Sequence, residues 1–258
     1  MSPFGPLQAL RDRAIPGQAE ARARRRGFRE KIRIDNSAPQ FSESLVDARA
    51  SGIAGENYYH SERNPPYWGR VAGSVPQLWL RAGVAEKLAR VNARLAPQGL
   101  ELFLFDAWRP RAIQAYFHDI WMPAELTRRD PDLKGEALTA AVENYWAAPS
   151  KDDGSPAPHA TGAASDLTLR WKSGEQLWMG SIFDDVTSLA HRDRFEAQSD
   201  FSFSDDEARA NRRLLHWLMI EEGFAGHPDE WWHFSFGDQF WAALTGAEAA
   251  LYGLATPI

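Results

Sequence analysis

The chain contains no cysteine, which excludes disulfides and thiolate metal sites and leaves histidine and carboxylate side chains as the available metal ligands. No apolar run approaches the length needed to cross a bilayer, so membrane insertion is not expected. An excess of positive charge is lacking too: a net charge of −6 over 258 residues argues against nucleic acid as a partner. The patterns Gly-x-Ser-x-Gly, Gly-x-x-x-x-Gly-Lys-Ser/Thr, Gly-x-Gly-x-x-Gly and His-Glu-x-x-His are all absent. Their absence withdraws support from serine-hydrolase, P-loop, dinucleotide-binding and thermolysin-like readings. The opening Met1-Ser2-Pro3-Phe4-Gly5-Pro6 has neither the basic start nor the apolar stretch of a secretory signal, and a cytoplasmic location is expected. Nothing in the sequence sets an oligomeric state.

What is present is globular in character, with 44% apolar and 12% aromatic residues. Residues 1–50 are rich in charge and weak in periodicity, and read as an N-terminal extension wrapping onto a domain formed by residues 51–258. The basic run Arg22, Arg24, Arg25, Arg26, Arg29 and Lys31 reads as a solvated helix or arm. Val84, Leu88, Val91 and Leu95 fall at helical spacing, and Pro97-Gln98-Gly99 stops the helix before a buried strand over 100–105. Asp106-Ala107-Trp108-Arg109-Pro110 turns that strand into a second helix, whose apolar face is Ile113, Tyr116, Phe117, Ile120 and Trp121. A further helix is expected over 136–146, then a hairpin pairing 167–171 with 176–179. Ser204 to Glu207 matches a capping box for a helix ending at Gly223, and a last strand is expected over 232–236. Helices interspersed among turn-linked strands, without a β-α-β rhythm, predict an α+β fold with a mostly antiparallel sheet flanked by helices.

Two segments carry the chemistry, His159 to Asp166 and Glu230-Trp231-Trp232-His233. His159, Asp166 and His233 would fill three positions of a tetrahedral ion and leave the fourth for water, while Glu230 handles protons, the parts of a zinc hydrolase. His159 and Asp166 are seven positions apart and would face opposite sides of one strand, so a bend at Gly162 is required. Glu230 and His233, three apart, share a side only where the backbone is irregular. Each residue also has a plainer reading: Asp166 as a turn residue, Trp231 and Trp232 as core or pocket wall, and any one histidine as an ordinary hydrogen-bonded side chain. His60, His118, His191, His216 and His227 are placed in that last class.

The series becomes specific when read together with Asp106 to Pro110, Asp166-Leu167-Thr168-Leu169, Met179-Gly180-Ser181-Ile182-Phe183-Asp184, Asn211-Arg212-Arg213-Leu214 and Gly223-Phe224. In this order the motifs resemble those of the zinc D-alanyl-D-alanine dipeptidases, the VanX-type enzymes, over roughly Ile53 to Phe236. The resemblance implies a hedgehog-like α+β peptidase fold and one Zn2+ per chain, bound by His159, Asp166 and His233. It further implies Glu230 as base, Arg109 as the group that steadies the transition state, Asp184 as receiver of the substrate's free amine, and a small dipeptide as substrate. Two positions depart from the family pattern: Ala157 stands where a serine is usual, and Trp108 where a tyrosine is. A carboxypeptidase acting on cell-wall stem peptides and a noncatalytic zinc-containing binding module are the alternatives. Retention of Glu230 and Arg109 argues against the second, because neither is needed merely to hold an ion.

Overall fold

The computed structural model describes residues 3–150, 152–197, 200 and 202–257. Among the described residues the strands are β1 (Leu45–Asp47), β2 (Ala54–Gly55), β3 (Trp79–Arg81), β4 (Leu100–Asp106), β5 (Ala164–Trp171), β6 (Ala225–Gly226) and β7 (His233–Ser235). They form a two-stranded ribbon, β1-β3, and a five-stranded sheet in the order β2-β4-β5-β7-β6. Only the β2-β4 pair of that sheet is parallel. The fold is α+β, as the alternation of turns, strands and helices predicts.

The helices are α1 (Gln8–Asp12), α2 (Ala19–Arg24), α3 (Phe28–Lys31), α4 (Ala82–Leu95), α5 (Arg111–Tyr116), α6 (Met122–Arg129), α7 (Gly135–Tyr145), α8 (Phe203–Glu221) and α9 (Gln239–Thr245). Val84, Leu88, Val91 and Leu95 are the fully buried stripe of α4, and the chain leaves that helix through Gly99 at φ +71° before entering β4. Leu102 and Leu104 on one face of β4 and Phe103 and Phe105 on the other are all buried, so this strand runs through the middle of the core. A π-helical turn, Phe117–Trp121, joins α5 to α6 and carries the predicted apolar face onward.

Two local expectations are corrected. The capping box of α8 lies two residues earlier than the Ser204 to Glu207 match: Ser202 accepts from the Asp205 backbone N–H while the Asp205 carboxylate takes the Ser202 N–H. The expected hairpin reduces to one bridge, Arg170 with Gln176, and one bond from Leu177 N–H to the Leu169 carbonyl. Beyond it the chain peels away because α8 captures its carbonyls, Asn211 donating to Trp178 O at 2.9 Å and Arg212 to Met179 O at 2.6 Å.

Residues 3–50 lie against this body. Arg11 pairs with Glu207 of α8 at 2.9 Å and also bonds Asn211. The basic run is not the solvated face expected of it. Arg22 reaches Asp193 at 3.0 Å and Asp229 at 2.6 Å, Arg25 reaches Asp229 at 3.0 Å, and Arg29 donates to the carbonyls of Ala148 at 2.6 Å and Ser155 at 2.8 Å. Among the described residues, no helix is long and apolar enough to cross a membrane.

Candidate active site

Strand register assembles the centre of the site. Asp166 of β5 lies opposite His233 of β7 on one side and Asp106 of β4 on the other, after an irregularity between Leu104 and Asp106. Three neighbouring strands therefore bring an aspartate, an aspartate and a histidine into one row. His159 comes from the 3-10 turn Pro158–Thr161, which ends at Gly162 with φ +70° and so folds the chain back into β5. That bend answers the seven-residue problem between His159 and Asp166. Arg81 clamps the turn, accepting the role of partner to its backbone: Arg81 N–H donates to Gly162 O at 2.8 Å and its Nε to Thr161 O at 2.9 Å. A Cβ on Gly162 would come within 2.4 Å of Leu45 Cδ2. Gly162→Ala is therefore expected to cost roughly 2 kcal/mol of stability by thermal denaturation, combining left-handed strain with overpacking.

The three predicted ligands converge. Their donor atoms lie within 4.8 Å of one another, and all three side chains are buried. His159 Nε2 is 3.1 Å from His233 Nδ1 and 3.3 Å from Asp166 Oδ2, and His233 Nδ1 is 3.1 Å from Asp166 Oδ1. Donor atoms around a tetrahedral zinc with bonds of about 2.0–2.1 Å are separated by about 3.3 Å, so the spacing fits that ion. The tautomers fit as well. His159 Nδ1 lies 2.6 Å from the Ala107 carbonyl, to which it can only donate, and its Nε2 is left with a lone pair facing the site. His233 turns Nε2 toward Ser235 Oγ at 3.3 Å and Nδ1 inward. Two imidazole nitrogens facing each other this closely repel unless a proton or a cation lies between them. Asp166 Oδ1, buried, accepts no hydrogen bond among the described residues, an orphaned acceptor that a cation would satisfy.

Glu230 sits on irregular backbone, as its spacing from His233 requires, with Oε2 3.6 Å from His233 Nδ1 and Oε1 3.9 Å from His227 Nδ1. Burial, reinforced by the charges of Asp166 and Asp184, pushes its carboxyl well above the usual range. Burial also works against ionised Asp166, but His159 and His233 outweigh it and hold that carboxyl well below its usual value.

Arg109 is held on all sides. Nε donates to Asp106 Oδ2 at 2.9 Å, Nη1 to Gln114 Oε1 at 2.9 Å, and Nη2 to Tyr59 Oη at 3.2 Å and Asp166 Oδ2 at 3.3 Å. Its guanidinium carbon is 4.4 Å from the Trp146 ring centroid. Burial opposes its charge, and the oxygens of Tyr59, Asp106, Asp166 and Asp184 outweigh that penalty. The ion pair with Asp106 and the position beside Asp166 coexist in one side chain. Asp184 is buried at φ +55° and accepts from Tyr59 Oη at 2.8 Å and Tyr67 Oη at 2.7 Å, while its neighbour Asp185 accepts a local backbone bond from Thr187. Burial, followed by the charge of Asp166, pushes the Asp184 carboxyl up to about 7.

All six residues singled out in the sequence line one cavity of about 790 Å³. Tyr59, Tyr67, Gln114 and Trp146 carry no signal in the sequence for their places here, and His227, expected to be an ordinary histidine, lines this cavity. The Tyr58-Tyr59 pair was visible, but its relation to Asp184, 125 positions away, has no local signature.

The model of the D-Ala-D-Ala dipeptidase family, peptidase family M15, matches residues 69–246. The chain belongs to this family. It is a metallopeptidase by that membership. A D-alanyl-D-alanine dipeptidase of Synechocystis is 37% identical over 177 residues, covering 63% of this chain and 71% of the relative. Those of Enterococcus faecium and Streptomyces coelicolor are 30% and 27% identical, covering 60% and 76% of this chain and 72% and 92% of their own lengths. A solved structure of the D,D-pentapeptidase VanY in complex with Zn(II) is 13% identical, with a TM-score of 0.40 over 66% of this chain and 81% of its own. Arg109, His159, Asp166, Asp184, Glu230 and His233 lie inside the dipeptidase match, whereas Tyr59, Tyr67 and the N-terminal arginines precede it.

Proposed function

We propose that the protein is a zinc dipeptidase hydrolysing D-alanyl-D-alanine or a similarly small dipeptide. The observation that carries this reading is the closure of His159, Asp166 and His233 to tetrahedral spacing in a buried cavity, with Glu230 alongside. Zinc held by these three side chains supplies Lewis acidity toward a water and the peptide carbonyl. Glu230 takes a proton from the attacking water at its carboxylate and passes it to the leaving amine nitrogen. Arg109, fixed in orientation by Asp106 and Gln114, offers its guanidinium to the oxygen that becomes negative as the carbonyl carbon turns tetrahedral. Asp184, oriented by two phenols, receives the substrate's ammonium.

The test is an assay of zinc-loaded protein against D-Ala-D-Ala, L-Ala-L-Ala and an N-acylated D-Ala-D-Ala peptide. Cleavage of the free D,D-dipeptide alone is expected, with loss of activity on chelation and return on adding zinc. Efficient cleavage of the acylated peptide would instead make the protein a carboxypeptidase, since that substrate has no free amine for Asp184.

The two phenols give a pH prediction. Both stabilise ionised Asp184, the form that binds an ammonium, so kcat/KM should fall as pH drops through the carboxyl's pKa. Tyr67→Phe removes one of these donors and raises that pKa further. The acid limb of the kcat/KM profile is expected to move to higher pH in this variant, and an unmoved limb would detach Asp184 from substrate capture.

A further inference from the structure

A dipeptide is a zwitterion, and a pocket that takes one has to meet its carboxylate as well as its ammonium. In the dipeptidase reading, on which this inference rests, Asp184 takes the ammonium. The permanently charged cations lining the cavity are Arg109 and four arginines of the N-terminal arm, Arg22, Arg25, Arg26 and Arg29. Arg109 is the group assigned to the developing oxyanion, and its remaining donors go to Asp106, Gln114, Tyr59 and Asp166, so a second anion of the substrate falls to the arm. The neighbouring histidines of the wall already have partners: the His227 ring lies between Arg25 Nη1 at 3.3 Å and the Asp229 N–H at 3.2 Å, and His191 Nε2 is 4.0 Å from Asp229.

Within the arm the charges are unequally balanced. Arg22 is paired with both Asp193 and Asp229. Arg25 shares Asp229 with it and turns Nη1 toward His227 Nε2 at 3.3 Å, and the far nitrogen of that ring is 3.9 Å from Glu230 Oε1. Arg25 thus reaches the proton-handling carboxylate through a single intervening ring. Arg29 is half-buried and held by backbone carbonyls of Ala148, Pro149 and Ser155, with no carboxylate oxygen of the described residues within 4.0 Å. Glu30 and Glu143 share the wall, but Glu143 lies against His118 at 3.3 Å and neither forms an ion pair with Arg25 or Arg29. A guanidinium fixed by carbonyls keeps its full charge, and a fixed charge facing a cavity is suited to an incoming carboxylate.

We propose that Arg25 and Arg29 form the carboxylate subsite of the dipeptide pocket, so that the N-terminal arm makes a free C-terminal carboxylate a requirement for binding. The arm precedes the family match at 69–246, so this specificity element is carried by residues outside the matched region.

The experiment is calorimetric titration of D-Ala-D-Ala and of its C-terminal amide into zinc-loaded, full-length protein carrying Glu230→Gln, which keeps the ligands intact. The dipeptide is expected to bind about 10- to 100-fold more tightly than the amide, the range of a charge-assisted contact. Adding Arg25→Gln and Arg29→Gln should bring the two ligands within about threefold of each other while leaving amide affinity unchanged. Lysine at both positions, which keeps the charge and gives up the carbonyl clamp, should retain most of the preference. The proposal is overturned by equal affinities in the parent protein, by no binding of either ligand, by a preference that survives the glutamine pair, or by parallel loss of both ligands in that pair. Turnover is scored separately on protein with Glu230 intact. Carboxylate-dependent binding without hydrolysis refutes the dipeptidase reading and leaves the subsite standing; hydrolysis without a carboxylate preference does the reverse.

Discussion

Replacing Glu230 by glutamine is expected to lower kcat by about 10³-fold, within the range assigned to a positioned general base, while zinc content stays at one per chain. Glutamine preserves the shape and the 3.6 Å approach to His233 but cannot accept a proton from water. Because Glu230 is not among the three converging ligands, metal binding should survive, and that separates this variant from substitutions of His159, Asp166 or His233. The pH profile supplies a second readout. Burial, Asp166 and Asp184 all favour the protonated carboxyl, and a bound cation opposes them, so wild-type kcat should decline toward acid as Glu230 takes up a proton. In the glutamine variant that acid limb should disappear. Activity unaffected by the substitution would remove Glu230 as the base.

Arg109→Ala carries the second large effect, on two observables at once. Loss of one donor to a developing oxyanion costs about 2.7–4 kcal/mol, which corresponds to a fall in kcat of about 10²- to 10³-fold. Removing one partner of a buried ion pair costs a further 3–5 kcal/mol of stability, roughly, at a pH where Asp106 is ionised, because that carboxyl is fully buried and either stays charged with no partner or must take up a proton. The sign of the pH dependence follows from Asp106. Burial already pushes its carboxyl up to about 6, against the opposing influence of Arg109 and His159. Without Arg109 that pKa rises further, so the folded state binds more protons than the unfolded state across a wider range, and stability falls as pH rises through it. The gap in melting temperature between wild type and Arg109→Ala should therefore widen from pH 5 to pH 8. A gap that is constant or narrows would mean that Asp106 does not carry the penalty. Arg109→Lys, which restores a charge but not the fork that meets Asp106, Gln114, Tyr59 and Asp166 together, should recover more stability than activity.

Much of the site's local geometry is legible in the sequence. His159, Asp166, Glu230 and His233 stand in motifs whose spacing already demanded a bend at Gly162 and irregular backbone at Glu230, and both features are present. The α4 stripe and the β4 run were equally legible, since each is written in a contiguous segment with its own stop signal. The hairpin after β5 was misread because its turn residues are local, whereas the helix side chains that draw Trp178 and Met179 away lie more than thirty positions on. The arm was misread for a related reason. A run of arginines reads as solvated unless its partners are known, and Asp193, Asp229 and the carbonyls of 148–155 are far along the chain.

Residue order alone determined the α4 and β4 elements and the family to which the chain belongs, because those properties depend on side-chain chemistry and short-range periodicity. Only the tertiary structure decided that Tyr59 and Tyr67 hold Asp184, that His227 stands beside Glu230, and that Arg25 and Arg29 wall the cavity. Such contacts join segments with no periodic relation to one another. They arise when burial of the core brings distant loops together, and the cost of leaving polar groups unpaired there selects their partners.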